Sequence, residues 1–329
     1  RRHHEGGDES DRRALDYAQA TGLIPPSTYL TMRQIQDMTV AFLGLGLISG
    51  SLAGALRAAQ WRGQIIAWGP REKSLERGQA LGLIDHFSLD LGSVMTDADI
   101  VVIGAPPIAT LELLPEVLEM ARAHGDPILT DMASIKASVV EAAKPHYAKF
   151  VPGHPIAGSE HSGVEAAIPD LFQGREVILT PLPETDSTAV SVVQAMWESA
   201  GARVTQLSVS DHDAALAASS HAPHMLAYAL TAMLSDHPLG PMKHGGGALR
   251  DMTRIAASDP GMWRDIALTN RDAILTAMDA VAAKHAQLRA SIAEADGPAM
   301  EALFEHCREV RREHDVILNP LLRPDEGEG

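Results

Sequence analysis

The sequence is poor in cysteine, in aromatic residues and in positive charge. Its one cysteine, Cys307, excludes an internal disulfide and a cysteine-based zinc site, and it favours a reducing, cytoplasmic setting. Only 27 Lys and Arg stand against 43 Asp and Glu, and the net charge of −16 argues against nucleic acid or an anionic membrane as the main partner. No apolar run approaches the roughly 20 residues of a transmembrane helix, and residues 1–10 lack the apolar stretch of a secretory signal.

The 329 residues are enough for about two domains. Because only 4% of them are aromatic, the cores are expected to consist of aliphatic residues and Met. From residue 38 to 208, short apolar segments alternate with helical patterns, which predicts an α/β domain with a parallel sheet between two layers of helices. The clearest predicted strands are Thr39–Leu43, Gln64–Trp68, Ile100–Ile103 and Pro127–Thr130.

Residues 209–320 carry only helical patterns, and the sequence therefore predicts a second, all-helical domain. Its main candidate helices are His212–Leu234, Asn270–Glu294 and Pro298–Leu318. Wide apolar stripes on the last two predict a dimerisation domain, the alternative being that these helices pack only on each other. Residues 1–37 are expected to be an extension of unknown function, and residues 321–329 a frayed tail.

A glycine-rich turn follows the first predicted strand. Gly44 allows the tight turn and Gly46 lets the backbone approach a pyrophosphate, which would meet the positive end of the next helix. Ser49 takes the third position of the motif, where Gly or Ala is usual. This strand–turn–helix context predicts a Rossmann-like dinucleotide-binding domain. The remaining predicted contacts of the dinucleotide core are Leu47 and Ile48 in the turn, and Ala105 and Pro106 after the strand Ile100–Ile103.

The end of the second predicted strand bears on the choice of cofactor. An Asp or Glu there would bond the ribose 2′-hydroxyl of NAD, but Trp68 is followed by Gly69, Pro70 and Arg71. The guanidinium of Arg71 is suited to pair with a 2′-phosphate. The pattern therefore favours NADP, with NAD as the alternative, and Arg71 as a cofactor-binding residue. The alternative is that Arg71 is only a solvated charge in a loop.

Six motifs together resemble the prephenate/arogenate dehydrogenase family of tyrosine biosynthesis, over residues 38 to 318. They are GLGLISGSLA, TDMASIKA, GHPIAGSEHSG, LFQGREVILTP, HDAALAASSHAPH and GGGALRDMTRIAASDPGMW. Ser49 and Gly69 depart from the family pattern, where Gly and often Asp are usual. The resemblance implies the oxidative decarboxylation of prephenate to 4-hydroxyphenylpyruvate, or of arogenate to tyrosine, without deciding between the two substrates.

The resemblance also implies roles for individual residues. His154 is implied as the catalytic residue that accepts the proton of the ring hydroxyl, for which a neutral imidazole is suited. Ser134 is implied as a second catalytic residue, whose hydroxyl orients His154 or the substrate hydroxyl. Arg254 is implied to grip a substrate carboxylate. The other implied substrate-binding residues are His224, Ser220, Asp213, Ser159 and Glu160.

Two other functions compete with this one. A dehydrogenase of the β-hydroxyacid type would need a catalytic Lys in the helical domain, and neither Lys243 nor Lys284 stands in a convincing motif. A dinucleotide-sensing protein without chemistry would be expected to have lost key site residues, which are present. No metal is expected, because His221 and His224 have no clear third ligand nearby in the sequence.

Overall fold

A computed structural model describes residues 32–158 and 161–318. The chain divides into two compact units, Arg1–Ala273 and Ile274–Gly329. The predicted tail, most of the predicted N-terminal extension, and Ser159 and Glu160 lie outside the described residues.

A six-stranded, wholly parallel sheet forms the centre of the first unit. Its order, β3-β2-β1-β4-β5-β6, is that of a dinucleotide-binding Rossmann fold. The two central strands are fully buried, as expected of a sheet with both faces covered. The strands are β1 (Val40–Leu43), β2 (Ile65–Trp68), β3 (His86–Ser88), β4 (Ile100–Ile103), β5 (Ile128–Asp131) and β6 (Phe150–Val151).

Helices connect these strands, as the alternating pattern predicts. After the short α1 (Met32–Ile35), they are α2 (Leu47–Ala58), α3 (Glu72–Ala80), α4 (Leu91–Asp97), α5 (Pro107–Ala123), α6 (Ala137–Ala142) and α7 (Ser187–Ser199). Capping side chains determine where several of these helices begin. Asp90 caps α4 by accepting a hydrogen bond from the backbone N–H of Ser93, and Asp186 caps α7 in the same way through Thr188.

A second, three-stranded sheet follows directly on the first. It consists of β7 (Gly153–Pro155), β8 (Glu176–Leu179) and β9 (Arg203–Gln206), with β7 antiparallel and β9 parallel to β8. Only Pro152 separates β6 from β7, so the chain leaves one sheet and enters the other immediately before His154. A Cβ at position 153 would lie 3.2 Å from the carbonyl oxygen of Asp131, and glycine therefore permits this close approach of backbones.

The remainder of the described chain is helical, and the predicted fold class is confirmed. Helix α8 (Val209–Leu216) continues through a π-helical turn (Ala217–His221) into α9 (Ala222–Asp236). The later helices are α10 (Gly247–Thr253), α11 (Pro260–Thr269), α12 (Arg271–Ala293), α13 (Gly297–Glu313) and α14 (Asp315–Leu318). A 3-10 turn, Arg254–Ala257, follows α10. None of the helices in the described ranges is long and apolar enough to cross a membrane.

Candidate active site

The carboxyl ends of β1 and β4 form an open cradle. Gly44 has a φ of +95°, and a Cβ there would lie 3.0 Å from the carbonyl oxygen of Gly104, so the turn requires glycine. Gly46 precedes α2 without a side-chain cap, and a Cβ at this position would meet nothing within 4 Å. Backbone N–H groups at an uncapped helix start beside open space are the arrangement that binds a diphosphate.

The other predicted cofactor contacts lie at the same edge of the sheet. Leu47 and Ile48 form the first turn of α2. Ala105 and Pro106 link β4 to α5, and the backbone nitrogen of Ala105 lies 3.3 Å from the Cβ position of Gly44. Arg71 follows β2 and is exposed, and its guanidinium has no ion pair with any residue that the structure describes. The structure thus brings the predicted dinucleotide-binding residues to one edge of the sheet.

A chain of three buried side chains starts at His154, the central residue of β7. Its Nδ1 lies 2.9 Å from Nε2 of His212, whose Nδ1 lies 2.8 Å from a carboxylate oxygen of Asp213. The same carboxylate accepts hydrogen bonds of 2.8 Å from the backbone N–H groups of Lys136 and Ala137. Asp213 is therefore fixed at the start of α6, and it fixes His212 in turn.

The carboxylate determines where the protons of both imidazoles lie. Because ionised Asp213 only accepts hydrogen bonds, Nδ1 of His212 carries the proton and its Nε2 is free to accept. His154 then donates from Nδ1 to that nitrogen, which leaves Nε2 of His154 unprotonated. This nitrogen has no hydrogen-bond partner within the described part of the chain.

Burial and neighbouring charges keep His154 neutral and Asp213 ionised. Burial, with the nearby His212 and Lys136, lowers the pKa of His154 well below its usual value. Burial alone would raise the pKa of Asp213, but hydrogen bonds from His212 and from the backbone of α6 outweigh it and lower that pKa. At neutral pH the site therefore holds a neutral imidazole supported by an ionised carboxylate.

A fully buried ion pair supports the strand that carries His154. The ammonium of Lys136 pairs with Asp131 and donates a hydrogen bond of 2.7 Å to the carbonyl oxygen of Gly153. Asp131 also accepts hydrogen bonds from the backbone N–H groups of Ala133, at 2.9 Å, and Gly153, at 3.2 Å. Lys136 thus binds β7 through its side chain and Asp213 through its backbone.

A second group of side chains extends this site along α9 and α11. The rings of His224 and Trp263 stack with their centroids 3.5 Å apart, and His221 meets Trp263 edge-on. Nδ1 of His224 donates to the carbonyl oxygen of Ser220, 2.9 Å away, in the π-helical turn. Burial, and to a smaller degree the charge of Arg254, lowers the pKa of His224, and the turn that carries Arg254 packs against α9.

Several predicted substrate-binding or catalytic residues have no side-chain contact with His154 in the described structure, or lie outside it. Arg254 is exposed, without an ion pair or hydrogen bond to any described residue. The hydroxyl of Ser134 has no hydrogen-bond partner among those residues either, so the structure does not join it to His154, and its contact with the substrate stays a prediction. Ser220 contributes its carbonyl oxygen to His224. Ser159 and Glu160 fall outside the described residues.

Sequence reasoning missed four residues of this site. His212 and Lys136 stood inside quoted motifs, where the pairing of His212 with Asp213 and the position of a lysine next to an apolar helix were available signals. Asp131 ends an apolar strand, which also marks it. Asn270, which contacts Asp213 and His221, stands in no motif.

These features define a Rossmann-fold protein with a dinucleotide-binding cradle and a buried, neutral histidine. A dehydrogenase needs both a site for the dinucleotide and a group that accepts a proton. Two family models match the chain. The nucleotide-binding domain of prephenate dehydrogenase matches residues 52–206, and the dimerization domain of prephenate dehydrogenase matches residues 208–309. The chain therefore belongs to the prephenate dehydrogenase family, as predicted from its motifs.

Individual relatives agree with this assignment. The cyclohexadienyl dehydrogenase of Zymomonas mobilis is 34% identical over 84% of this chain and 97% of its own length. The prephenate dehydrogenase of Bacillus subtilis is also 34% identical, over 85% of this chain and 76% of its own. The crystal structure of prephenate dehydrogenase from Aquifex aeolicus with hydroxyphenyl propionate and NAD+ has a TM-score of 0.78 and 31% identity, and the match covers 84% of this chain and 98% of that one.

The comparisons also bear on cofactor and assembly. The nucleotide-binding domain model and the NAD+ in the Aquifex aeolicus structure support a nicotinamide dinucleotide as the cofactor. The dimerization domain model supports a homodimer. The chain is an oxidoreductase of the NAD(P)-dependent prephenate and cyclohexadienyl dehydrogenase class.

Proposed function

We propose that this enzyme oxidatively decarboxylates prephenate, arogenate or both, and that it passes the hydride to NADP or NAD. The observation that carries the proposal is the chain from His154 through His212 to Asp213, which leaves one unprotonated nitrogen at the end of a buried network. A base of this kind matches a reaction in which a ring hydroxyl must lose its proton as its carbon is oxidised.

The cradle fits a nicotinamide dinucleotide. Gly44, Gly46, Leu47 and Ile48 would hold the diphosphate through backbone groups and the start of α2. Ala105 and Pro106, in the adjacent β4–α5 loop, would also contact the dinucleotide. A Cβ at Gly104 would collide with the hydroxyl of Ser49, so glycine at 104 makes room for the departure from the usual motif. When bound, the nicotinamide ring supplies the acceptor for the two electrons and the hydrogen that leave the substrate ring.

His154 performs the proton transfer in the proposed mechanism. Its Nε2 accepts the proton of the hydroxyl on ring carbon C4 while that carbon loses its hydrogen with two electrons, and the C–O bond becomes a carbonyl. The imidazolium so formed keeps its Nδ1–H on His212, which Asp213 holds in place. Loss of carbon dioxide from C1 leaves an electron pair in the ring, which becomes aromatic once the oxygen regains a proton. Positioning therefore contributes more than strong acid catalysis.

Arg254 and His224 are the proposed substrate-binding groups. The substrates are dicarboxylates, and a free guanidinium can bind a carboxylate through two parallel hydrogen bonds. The unpaired state of Arg254 and its position near His224 support this role. On the family resemblance we assign Ser220, Ser159 and Glu160 to the substrate site, and Ser134 to catalysis. We propose that Asp213, which the resemblance implies as a substrate-binding residue, supports the base instead.

We propose NADP as the preferred cofactor, with NAD as the alternative. The support is the absence of an acidic residue at the end of β2, together with the unpaired guanidinium of Arg71 at the start of α3. A free guanidinium next to the ribose site would be neutralised by a 2′-phosphate and would gain nothing from a 2′-hydroxyl.

We further propose that residues 209–320 form the dimerisation domain and residues 38–208 the dinucleotide-binding domain. Large apolar side chains exposed on the second compact unit support pairing with a second copy, since exposed apolar surface of this extent marks an interface. They include Ile292, Phe304, Val310 and Ile317. A cytoplasmic location and the absence of nucleic acid partners remain predictions. Light scattering at micromolar concentration tests the dimer, and a monomeric mass contradicts it.

Initial-rate kinetics test the proposed reaction. Purified protein is given prephenate or arogenate with NAD or NADP, and the reduced cofactor is followed by absorbance. We expect turnover with at least one pair and a higher kcat/KM with NADP. Binding of the dinucleotide without turnover for any pair would instead support a sensing protein, and the proposal would fail.

A further inference from the structure

Asn270, directly after α11, connects the two halves of the site. Its side-chain nitrogen lies 3.0 Å from the carbonyl oxygen of Asp213 and 3.1 Å from Nδ1 of His221, and all three residues are buried. Asp213 is the residue whose carboxylate holds His212, and His221 is the residue whose ring meets Trp263. One amide group therefore contacts both the proton-accepting chain and the residues near His224.

The carbonyl oxygen of Asp213 fixes the orientation of this amide. A carbonyl oxygen only accepts hydrogen bonds, so the amide must turn its NH2 group, and not its oxygen, toward Asp213. The second hydrogen of that NH2 group then points to His221, whose Nδ1 must accept it. His221 is thereby held as the neutral tautomer with its proton on Nε2, because a proton on Nδ1 would place two donors face to face.

We propose that Asn270 is a positioning residue, which locks the tautomer of His221 and so keeps positive charge away from His154 while it fixes the rings beside the substrate site. This inference rests on the proposed function and deepens it. The residue acts through His221 on both halves of the site, and no motif of the sequence marks it.

The groups around His221 explain why a lock is needed. The charged or titratable groups that act on it are Asp213, His212 and His224. Asp213 favours a protonated His221, whereas burial and the two histidines oppose it, and the balance lowers its pKa to about 4. A charge on His221 would in turn lower the pKa of His154 further, and the base would weaken.

Asn270→Asp tests this inference most directly. A carboxylate at 270 accepts a hydrogen bond from Nδ1 of His221 and favours the imidazolium. We expect nitrogen-15 NMR of the labelled histidines to show His221 titrating at least about one pH unit higher than in the unchanged protein. We also expect the acid limb of kcat/KM to move to higher pH by the same shift as the titration of His221, and the loss of activity to diminish toward pH 9.

A second variant and a matched control distinguish the proposed role of Asn270 from a general loss of folding. Asn270→Ala removes the donor without adding charge, and we expect mixed tautomers of His221 and a higher KM for the cyclohexadienol, with the KM of the dinucleotide unchanged. Ser138→Ala removes a hydrogen bond of 3.0 Å to the carbonyl oxygen of Thr269, which precedes Asn270, and the Ser138 hydroxyl makes no hydrogen bond to a described histidine. We expect it to leave the pH profile and the tautomer of His221 unchanged.

The outcomes separate this inference from the proposed function. An equal loss of activity at every pH in Asn270→Asp, or an unchanged titration of His221, would reduce Asn270 to a structural role and overturn the inference. The NMR titration requires no turnover, so it decides the role of Asn270 even if the unchanged protein oxidises neither prephenate nor arogenate.

Discussion

At the scale of single residues, the proton acceptor is the first group to test. His154→Asn removes the basic nitrogen while it keeps a side chain of similar polarity in β7. General-base catalysis contributes about 10²–10⁴-fold, and we expect kcat to fall by this factor. Because the dinucleotide cradle lies on α2 and the β4–α5 loop, cofactor affinity measured by calorimetry should stay within about twofold. Retained turnover would exclude His154 as the base.

Arg254 can be tested against a neighbour on the same stretch of chain. Arg254→Ala removes a free guanidinium, and we expect the substrate KM to rise by about 10-fold to 100-fold, since a hydrogen bond to a charged group contributes about 1.5–3 kcal/mol. Arg250→Ala is the control, because Arg250 is exposed and already pairs with Asp251. Steady-state kinetics with varied substrate and saturating cofactor measure both variants. If the two raise KM equally, Arg254 does not bind the carboxylate.

The 2′-phosphate prediction depends on Arg71. We expect Arg71→Ala to weaken NADP binding about tenfold or more, the order of a charge-assisted hydrogen bond, and to leave NAD binding nearly unchanged. Lys73→Ala is the matched control, since Lys73 is an exposed cation on the first turn of α3. Fluorescence titration with each dinucleotide measures the effect. A similar loss for NAD and NADP would show that Arg71 does not distinguish them.

At the scale of elements, the buried pair of Lys136 and Asp131 connects β5, β7 and the start of α6. Lys136→Met leaves the carboxylate of Asp131 buried without its partner, which costs about 3–5 kcal/mol in comparable pairs. Denaturant unfolding should show this loss, and Lys136→Met combined with Asp131→Asn should lose less. Lys149→Ala breaks the exposed pair with Asp126 as a control, worth at most about 1 kcal/mol. Additive losses would show that the two buried charges do not interact.

The elements also show how far the sequence predicts this structure. Strands such as β1 and β4 were predicted because they are continuous apolar runs, as strands buried on both faces must be. The short strands β3 and β9 were missed, because they are partly exposed and carry polar residues. The motifs marked His154 and Asp213, but the contact of His154 with His212 joins residues 58 apart, and no local pattern encodes such a pairing. Asn270, 49 residues from His221, escaped notice for the same reason.

At the scale of the whole molecule, two effects act on stability as the pH falls from neutral. The net charge of −16 falls toward zero near the isoelectric point of about 5.3, which relieves self-repulsion and favours the folded state over that range. The buried histidines act in the opposite direction. The folded-state pKa of His221 is about 4, and that of His154 is also lowered, so the unfolded chain binds more protons once the pH falls below about 6.5.

The histidine effect should prevail where salt screens the surface charges. Each unit of pKa shift corresponds to about 1.4 kcal/mol, and at an ionic strength near 0.5 M long-range repulsion between exposed charges is largely screened. We therefore expect the free energy of unfolding to fall as the pH drops from about 6.5 to 4, before the carboxylate of Asp213 begins to protonate below its usual range. Denaturant unfolding across this window, in high salt, measures the slope. His221→Gln should make this slope shallower, because one buried group no longer gains a proton on unfolding. An unchanged slope in that variant would show that His221 binds a proton as readily in the folded protein as in the unfolded chain.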